Sequence, residues 1–155
     1  MKLQSKGGMR MTTVLVCGGR KFGLQLDEYR FISNMLSLYF EEHEITRLVT
    51  GMASGVDKVA DDWAQAHGME VGQYPISEKE WQRYGRAAGP KRNQRMFDEE
   101  NIDLVIAFPG GAGTRDTVHR ALVLGVPVKS FRYPGGYQHA QMVSREGVAY
   151  VSGAK

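Results

Sequence analysis

Two kinds of hydrophobic pattern alternate along the chain. Short β-branched runs give way to longer segments in which apolar residues return every three or four positions. "TTVLVCGG" (12–19) is of the first kind and predicts a buried strand ending in glycine. "LDEYRFISNMLSLYFEEH" (26–43) is of the second, with Tyr29, Ile32, Met35, Leu36, Tyr39 and Phe40 on one face of an amphipathic helix. "TRLVTG" (46–51) predicts a second strand. "VDKVADDWAQAHG" (56–68) predicts a helix with Val56, Val59, Ala60, Trp63 and Ala64 in its apolar stripe and Gly68 as its stop. "MEVGQYPI" (69–76) predicts a third strand, and Ser77 caps a helix opened by "SEKEW" (77–81) with its acidic first turn. A break at "AAGPKRN" (87–93) restarts a helix that runs to about Glu100, which puts Arg92 and Asn93 at a new helix start. "DLVIAFPG" (103–110) is the fourth and most hydrophobic strand. A helix follows it to Leu124, with Val118, Ala121 and Leu122 as its stripe, and "PVKSFRY" (127–133) is the fifth strand.

Strands separated by helices imply right-handed crossovers and a parallel sheet. The expected fold is therefore α/β: a Rossmann-like parallel sheet of about five strands with helices on both faces. Residues 1–11 are expected to be a disordered leader, residues 12–133 the Rossmann-like domain, and residues 134–155 a turn-rich tail with one extra strand candidate, "GVAYV" (147–151).

Composition narrows the class. A chain of 155 residues is one domain and buries enough surface to need no staple. Its single cysteine, Cys17, excludes a disulfide framework, suits a reducing cytoplasm, and reads as a small buried hydrophobe at a strand end. The histidines (His43, His67, His119 and His139) show no metal spacing, so neither metal nor cofactor is expected. The polar first ten residues have no apolar core of a secretory signal, and no apolar run approaches the roughly 18 residues of a membrane span. A net charge of +3 favours anionic ligands without requiring nucleic acid.

The glycines carry the functional signal. "CGGRKFG" (17–23), "TGMASGVD" (50–57) and "FPGGAGTRD" (108–116) all follow strands and lead into helices, whereas the returns into strands hold single glycines at most. Ligands of open α/β sheets bind at that carboxyl edge, where helix N-termini offer unpaired N–H groups to an anion. "GGAGT" would present the amides of Gly111, Ala112, Gly113 and Thr114 and the Thr114 hydroxyl. Turn-making with no ligand is the competing reading. Neither a P-loop nor a dinucleotide fingerprint fits, since "GGRKFGLQ" lacks the Lys-Ser/Thr pair and Asp116 stands where the last glycine of G-x-G-x-x-G belongs.

"VLVCGGRKFG", "LVTGMASGVDKVADDWA", "WQRYGRAAGPKRNQRM" and "DLVIAFPGGAGT", in this order, resemble the SLOG superfamily, which unites LOG-type nucleoside-monophosphate phosphoribohydrolases with the Smf/DprA DNA-processing proteins. The chain is similar to the small YspA/YpsA-related branch of bacteria and phages, over roughly residues 13–130. The resemblance implies a pocket for a nucleotide or nucleotide derivative, such as a nucleoside phosphate or an ADP-ribose-like molecule, lined by the three loops. Its ligand-binding candidates are Gly18, Gly19, Arg20, Thr50, Gly51, Ser54, Gly55, Asp57, Arg92, Asn93, Pro109, Gly110, Gly111, Gly113 and Thr114. Arg92 would fork onto a phosphate, Asn93 would pair with a base or sugar, and Arg20 is a second phosphate candidate. The LOG motif PGGxGTxxE ends in a glutamate that takes part in N-glycosidic cleavage; Thr117 stands at that position here.

With that glutamate missing, Asp57 and Arg92 are the catalytic candidates, and three readings stay open: a cytoplasmic sensor or sequestering protein, a weak N-glycosidic-bond hydrolase, and a DprA-like nucleic-acid-binding module using Arg83, Arg86, Lys91, Arg92 and Arg95. Thr117 is expected to lean to the pocket edge and Asp116 to point outward. Asp61 and Asp62 are read as a solvated helix face, Trp81 and Tyr84 as packing residues with stacking on a base as the alternative, and Tyr133, Tyr137 and Tyr150 as an interface cover. Relatives commonly dimerise through helices, which implies a homodimer.

Overall fold

β1 (Thr12–Cys17) runs through the middle of a parallel sheet of order β3-β2-β1-β4-β5, completed by β2 (Ile45–Thr50), β3 (Glu70–Gln73), β4 (Leu104–Ala107) and β5 (Val128–Ser130). The computed structural model describes residues 12–133. The leader and tail expectations, with Tyr137, His139 and Tyr150, lie outside the described residues.

The two-residue period of β1 divides the core. Val14 and Val16 face one side, packed with α1 (Leu26–Glu42) and α2 (Val56–Ala66). Leu15 and Cys17 face the other, with Met96 of α4 (Ala88–Glu99) and Ala121 of α5 (Ala112–Val123). All four side chains are buried, as a strand covered on both faces requires. Helices α1 and α2 carry the chain from β1 to β3; α3 (Glu78–Tyr84) and α4 carry it back across to β4. The strand order therefore reverses between β1 and β4, where open α/β sheets form their ligand crevice.

Several sequence expectations shift. In α1, Phe31 is buried with Ile32, Met35 and Leu36, whereas Tyr29 and Phe40 stay exposed at the stripe's margins. In α5, Leu122 is exposed and Thr117 is buried beside Ala121. Asp61 is buried, not solvated: Gln73 donates to its Oδ1 at 2.9 Å, and Gln65 also donates to it. Tyr133 is no interface cover. It lies edge-on to Phe22 and Phe31, each at a ring-centroid distance of 5.1 Å, inside the α1 side of the core. Trp63 is core, as its spacing predicts.

Candidate functional site

The three glycine-rich turns meet because their backbones bond to one another. The Gly19 amide donates to the Pro109 carbonyl at 2.8 Å, and the Val56 amide donates to the Gly19 carbonyl at 3.2 Å. Such contacts leave no room for side chains. A Cβ on Gly18 would overlap Val56, one on Gly55 would overlap the Gly19 and Arg20 backbone, and one on Gly110 would overlap Thr114. Gly55 also sits at φ +80°, a conformation that favours glycine. These glycines serve the closure of loop on loop. Gly111 and Gly113 differ, for a Cβ on either would meet nothing within 4 Å.

They open onto a cavity of about 660 Å³ at the reversal point, within the size range of small-molecule sites. Of the residues singled out from sequence, Gly18, Gly19, Arg20, Gly51, Asp57, Arg92, Asn93, Gly111, Gly113 and Thr114 line it. Thr50, Ser54, Gly55, Pro109 and Gly110 do not. Thr50 is fully buried beneath the second turn, where its hydroxyl accepts from the Met52 amide, and Ser54 donates to the Arg20 carbonyl from the exposed side. These five shape the loops from behind.

α5 begins at the floor of the cavity with Gly111 as its N-cap. The first intrahelical bond there joins the Arg115 amide to the Gly111 carbonyl. The amides of Ala112, Gly113 and Thr114 therefore have no backbone acceptor, as in any first turn, and all three residues line the cavity. The N-terminal end of the helix dipole adds partial positive charge at the same place.

Opposite lies Arg92. α4 begins at Ala88, before the Gly-Pro pair, because proline is tolerated in a first turn where its missing N–H costs no bond. Arg92 thus projects from the second turn and not from a helix start. Its Nη1 donates to the carbonyls of Gly51 and, at 3.2 Å, Tyr74, while its Nε donates to Asn93 Oδ1 at 3.0 Å. A Cβ on Gly51 would collide with the guanidinium, so glycine at this strand end admits the arginine. The Nη2 edge has no acceptor among the described residues. Asn93 is buried and passes the linkage on, its Nδ2 donating to Asp116 Oδ2 at 2.9 Å.

Asp116 accordingly faces the cavity and not outward, held by Asn93 and by Arg120 Nε at 2.8 Å. Burial raises its pKa, but these two hydrogen bonds outweigh that and leave it lowered. Thr117 lies in the cavity wall; it is only 2% exposed, and its hydroxyl donates to the Gly113 carbonyl at 3.2 Å. Asp57 stands at the second turn. Its Oδ2 accepts from the Ala53 amide at 3.1 Å, aided by Met52 at φ +61°, which bends the loop back. Burial pushes the Asp57 carboxyl up to about 6, against the opposing pull of the Ala53 amide, Arg92 and Arg20. Burial chiefly, with the Asp57 charge second, also raises the Cys17 thiol, in keeping with an inert buried hydrophobe.

Trp81, Arg86 and Asp116 also line the cavity; Arg86 and Asp116 escaped sequence reasoning as pocket residues, whereas Trp81 carried base stacking as its alternative reading. Trp81 and Tyr84 were expected to pack, yet α3 buries none of its residues, and each of the two rings is 38% exposed. The Ser77 cap forms as expected, and Glu80 completes a capping box with it through reciprocal bonds of 2.8 and 3.1 Å.

Residues 12–84 match the family model YAcAr, the YspA, cpYpsA-related SLOG family. Over this segment the chain is similar to the SLOG family. The matched segment runs from β1 through α3 and takes in the first two glycine turns; Arg92 and the "PGGAGT" loop lie beyond it. No curated protein matches the chain. One solved structure similar to this chain is the C-terminal domain of a hydrogenase from Pyrococcus furiosus, at 14% identity and TM-score 0.43, covering 84% of this chain and 99% of that one. Among the described residues no helix is long and apolar enough to cross a membrane.

Proposed function

We propose that the cavity binds a nucleotide or nucleotide derivative, with a phosphate on the α5 amides and the free edge of Arg92. One observation carries this reading: the unpaired amides of Ala112, Gly113 and Thr114 and the Nη2 edge of Arg92 open onto the same cavity, with Arg20 at its rim. Amides and guanidinium are complementary to one tetrahedral oxyanion. The similarity of residues 12–84 to the SLOG family supports a nucleotide-related ligand. Asp57, in the cavity lining, is suited to a ribose hydroxyl.

Binding is the core of this proposal, and turnover is secondary. Thr117 offers no carboxylate where the LOG motif has glutamate, so N-glycosidic hydrolysis would have to use Asp57 or Asp116. The nucleic-acid reading draws less support from the basic stretch. Arg95 pairs with Glu80 and Glu99, and Arg83 and Lys91 lie against the Tyr84 ring, so these cations do not form one free track.

Native mass spectrometry of freshly purified protein, followed by a thermal-shift panel of nucleoside phosphates and ADP-ribose, tests the reading. A ligand at 100 times its dissociation constant adds about 2.7 kcal/mol of stability. A panel with neither a shift nor a co-purifying small molecule removes the proposal, and release of free base in the same samples establishes turnover.

A further inference from the structure

Trp81 is out of place for a packing residue. It stands on α3, a helix with no buried residue, and its indole lines the cavity at 38% exposure. The Arg20 guanidinium lies over its ring, 5.8 Å from the centroid. Arg20 is itself exposed and follows a glycine pair, so its side chain can move. The platform beneath is firmly set: the Ser77–Glu80 capping box fixes the start of α3, and Glu80 is tied to Arg95 of α4 at 3.3 Å.

A flat aromatic surface at one wall, the amide cradle of α5 at another and a mobile cation over the ring together fit a ligand with a planar ring at one end and an anion at the other. We infer that Trp81 is the stacking surface for the ligand's base, with Arg20 closing over the base's outer face. The inference rests on the nucleotide reading and sharpens it: a sugar phosphate or inorganic phosphate would leave the indole unused. The spacing is favourable. Two stacked van der Waals layers need about 7 Å between indole and guanidinium, so Arg20, now 5.8 Å from the ring centroid, has to move outward to admit a base. Base–aromatic stacking tolerates any base because every base has a π-face, so Trp81 selects for the presence of a base and not for its identity.

The test uses the full chain with nucleoside monophosphates, ribose 5-phosphate and inorganic phosphate as probes, by calorimetry and intrinsic fluorescence. Of the two tryptophans, Trp63 is sealed in the core with its indole N–H on Ser37, so a ligand-dependent fluorescence change reports Trp81. Nucleoside monophosphates are expected to quench the emission. Trp81→Ala is expected to weaken them about 5- to 150-fold while ribose 5-phosphate binds as before, and Trp81→Phe to recover most of the loss. Unchanged nucleotide affinity in Trp81→Ala overturns the stacking role and leaves the nucleotide reading intact, as does ribose 5-phosphate binding wild type as tightly as the nucleotides. Failure of every probe to bind wild type overturns both.

Discussion

Gly110 and Gly111 are adjacent in sequence and opposite in circumstance. A Cβ on Gly110 would overlap Thr114 and lie 2.8 Å from the Gly19 amide nitrogen, whereas the same atom on Gly111 would meet nothing. Gly18 and Gly55 share the crowding of Gly110, and Gly113 shares the openness of Gly111. A single glycine-rich edge thus contains two populations, one that lets the loops close on each other and one that leaves a helix start bare. Tight turns account for the crowded glycines and not for the open ones, which is where the proposed ligand approach applies. The difference teaches that glycine density locates a site, while only the neighbours of each missing side chain reveal its purpose.

The largest expected effect lies in the crowded population. Gly55→Ala forces an alanine into φ +80° and its Cβ into the Gly19 and Arg20 backbone, and is expected to cost roughly 2–6 kcal/mol of unfolding free energy. Chemical denaturation measures it; a loss under 1 kcal/mol would erase the distinction between the two populations. Gly111→Val is the counterpart. Its stability is expected to stay within about 1 kcal/mol of wild type, while nucleotide affinity falls at least about 100-fold as the branched side chain covers amides worth two charge-assisted bonds. Calorimetry on the folded variant decides it, and wild-type affinity there would detach the open glycines from binding.

Asp57 stands on the border between the populations, with one oxygen stitched to Ala53 and its residue in the cavity lining. Its carboxyl titrates at about 6 in the folded chain against 3.8 as its ordinary value, so the native state holds the extra proton between those pH values. The associated stability is complete below about pH 4 and is lost as pH rises through about 6, up to about 3 kcal/mol in all. Asp57→Asn keeps an acceptor for the Ala53 amide and is expected to flatten that slope in melting profiles from pH 4 to 7. A slope unchanged in the variant assigns the titration to another group.

The smallest effect sharpens the anion end. Arg92→Ala is expected to weaken phosphorylated ligands about 10- to 150-fold while the matching nucleoside changes little, since a hydrogen bond to a charged group is worth roughly 1.5–3 kcal/mol. Parallel titrations of nucleotide and nucleoside separate the outcomes. Equal losses for both would mean that Arg92 only braces the carbonyls of Gly51 and Tyr74.

Much of this was legible in the sequence because it is local. Strands and helices follow from hydrophobic period, Ser77 from its capping pattern, and the binding edge from where glycines fall relative to strands. What escaped depends on tertiary neighbours. Trp81 has the composition of a core residue, and only the exposed setting of α3, which buries none of its residues, leaves it in the cavity wall. Asp116 was turned outward by helix-wheel reasoning, which could not foresee that Asn93 and Arg120 would hold it toward the cavity. Asp61 looked solvated because its partner Gln73 comes from β3, twelve positions on. The start of α4 was set late because a Gly-Pro pair reads as a break, although a first turn accommodates it.

The sheet's margins bear on how the protein behaves when concentrated. β3 has four residues and β5 three, so either edge offers a newcomer strand few backbone groups to pair with. β3 also begins at Glu70, whose largely exposed carboxylate is paired with Arg47 at 3.1 Å, and a strand laid alongside would have to desolvate that charge. Edge-to-edge polymerisation is therefore discouraged by brevity at both described margins and by charge at one. Crowding these molecules together should favour contacts between helical faces over any extension of the sheet.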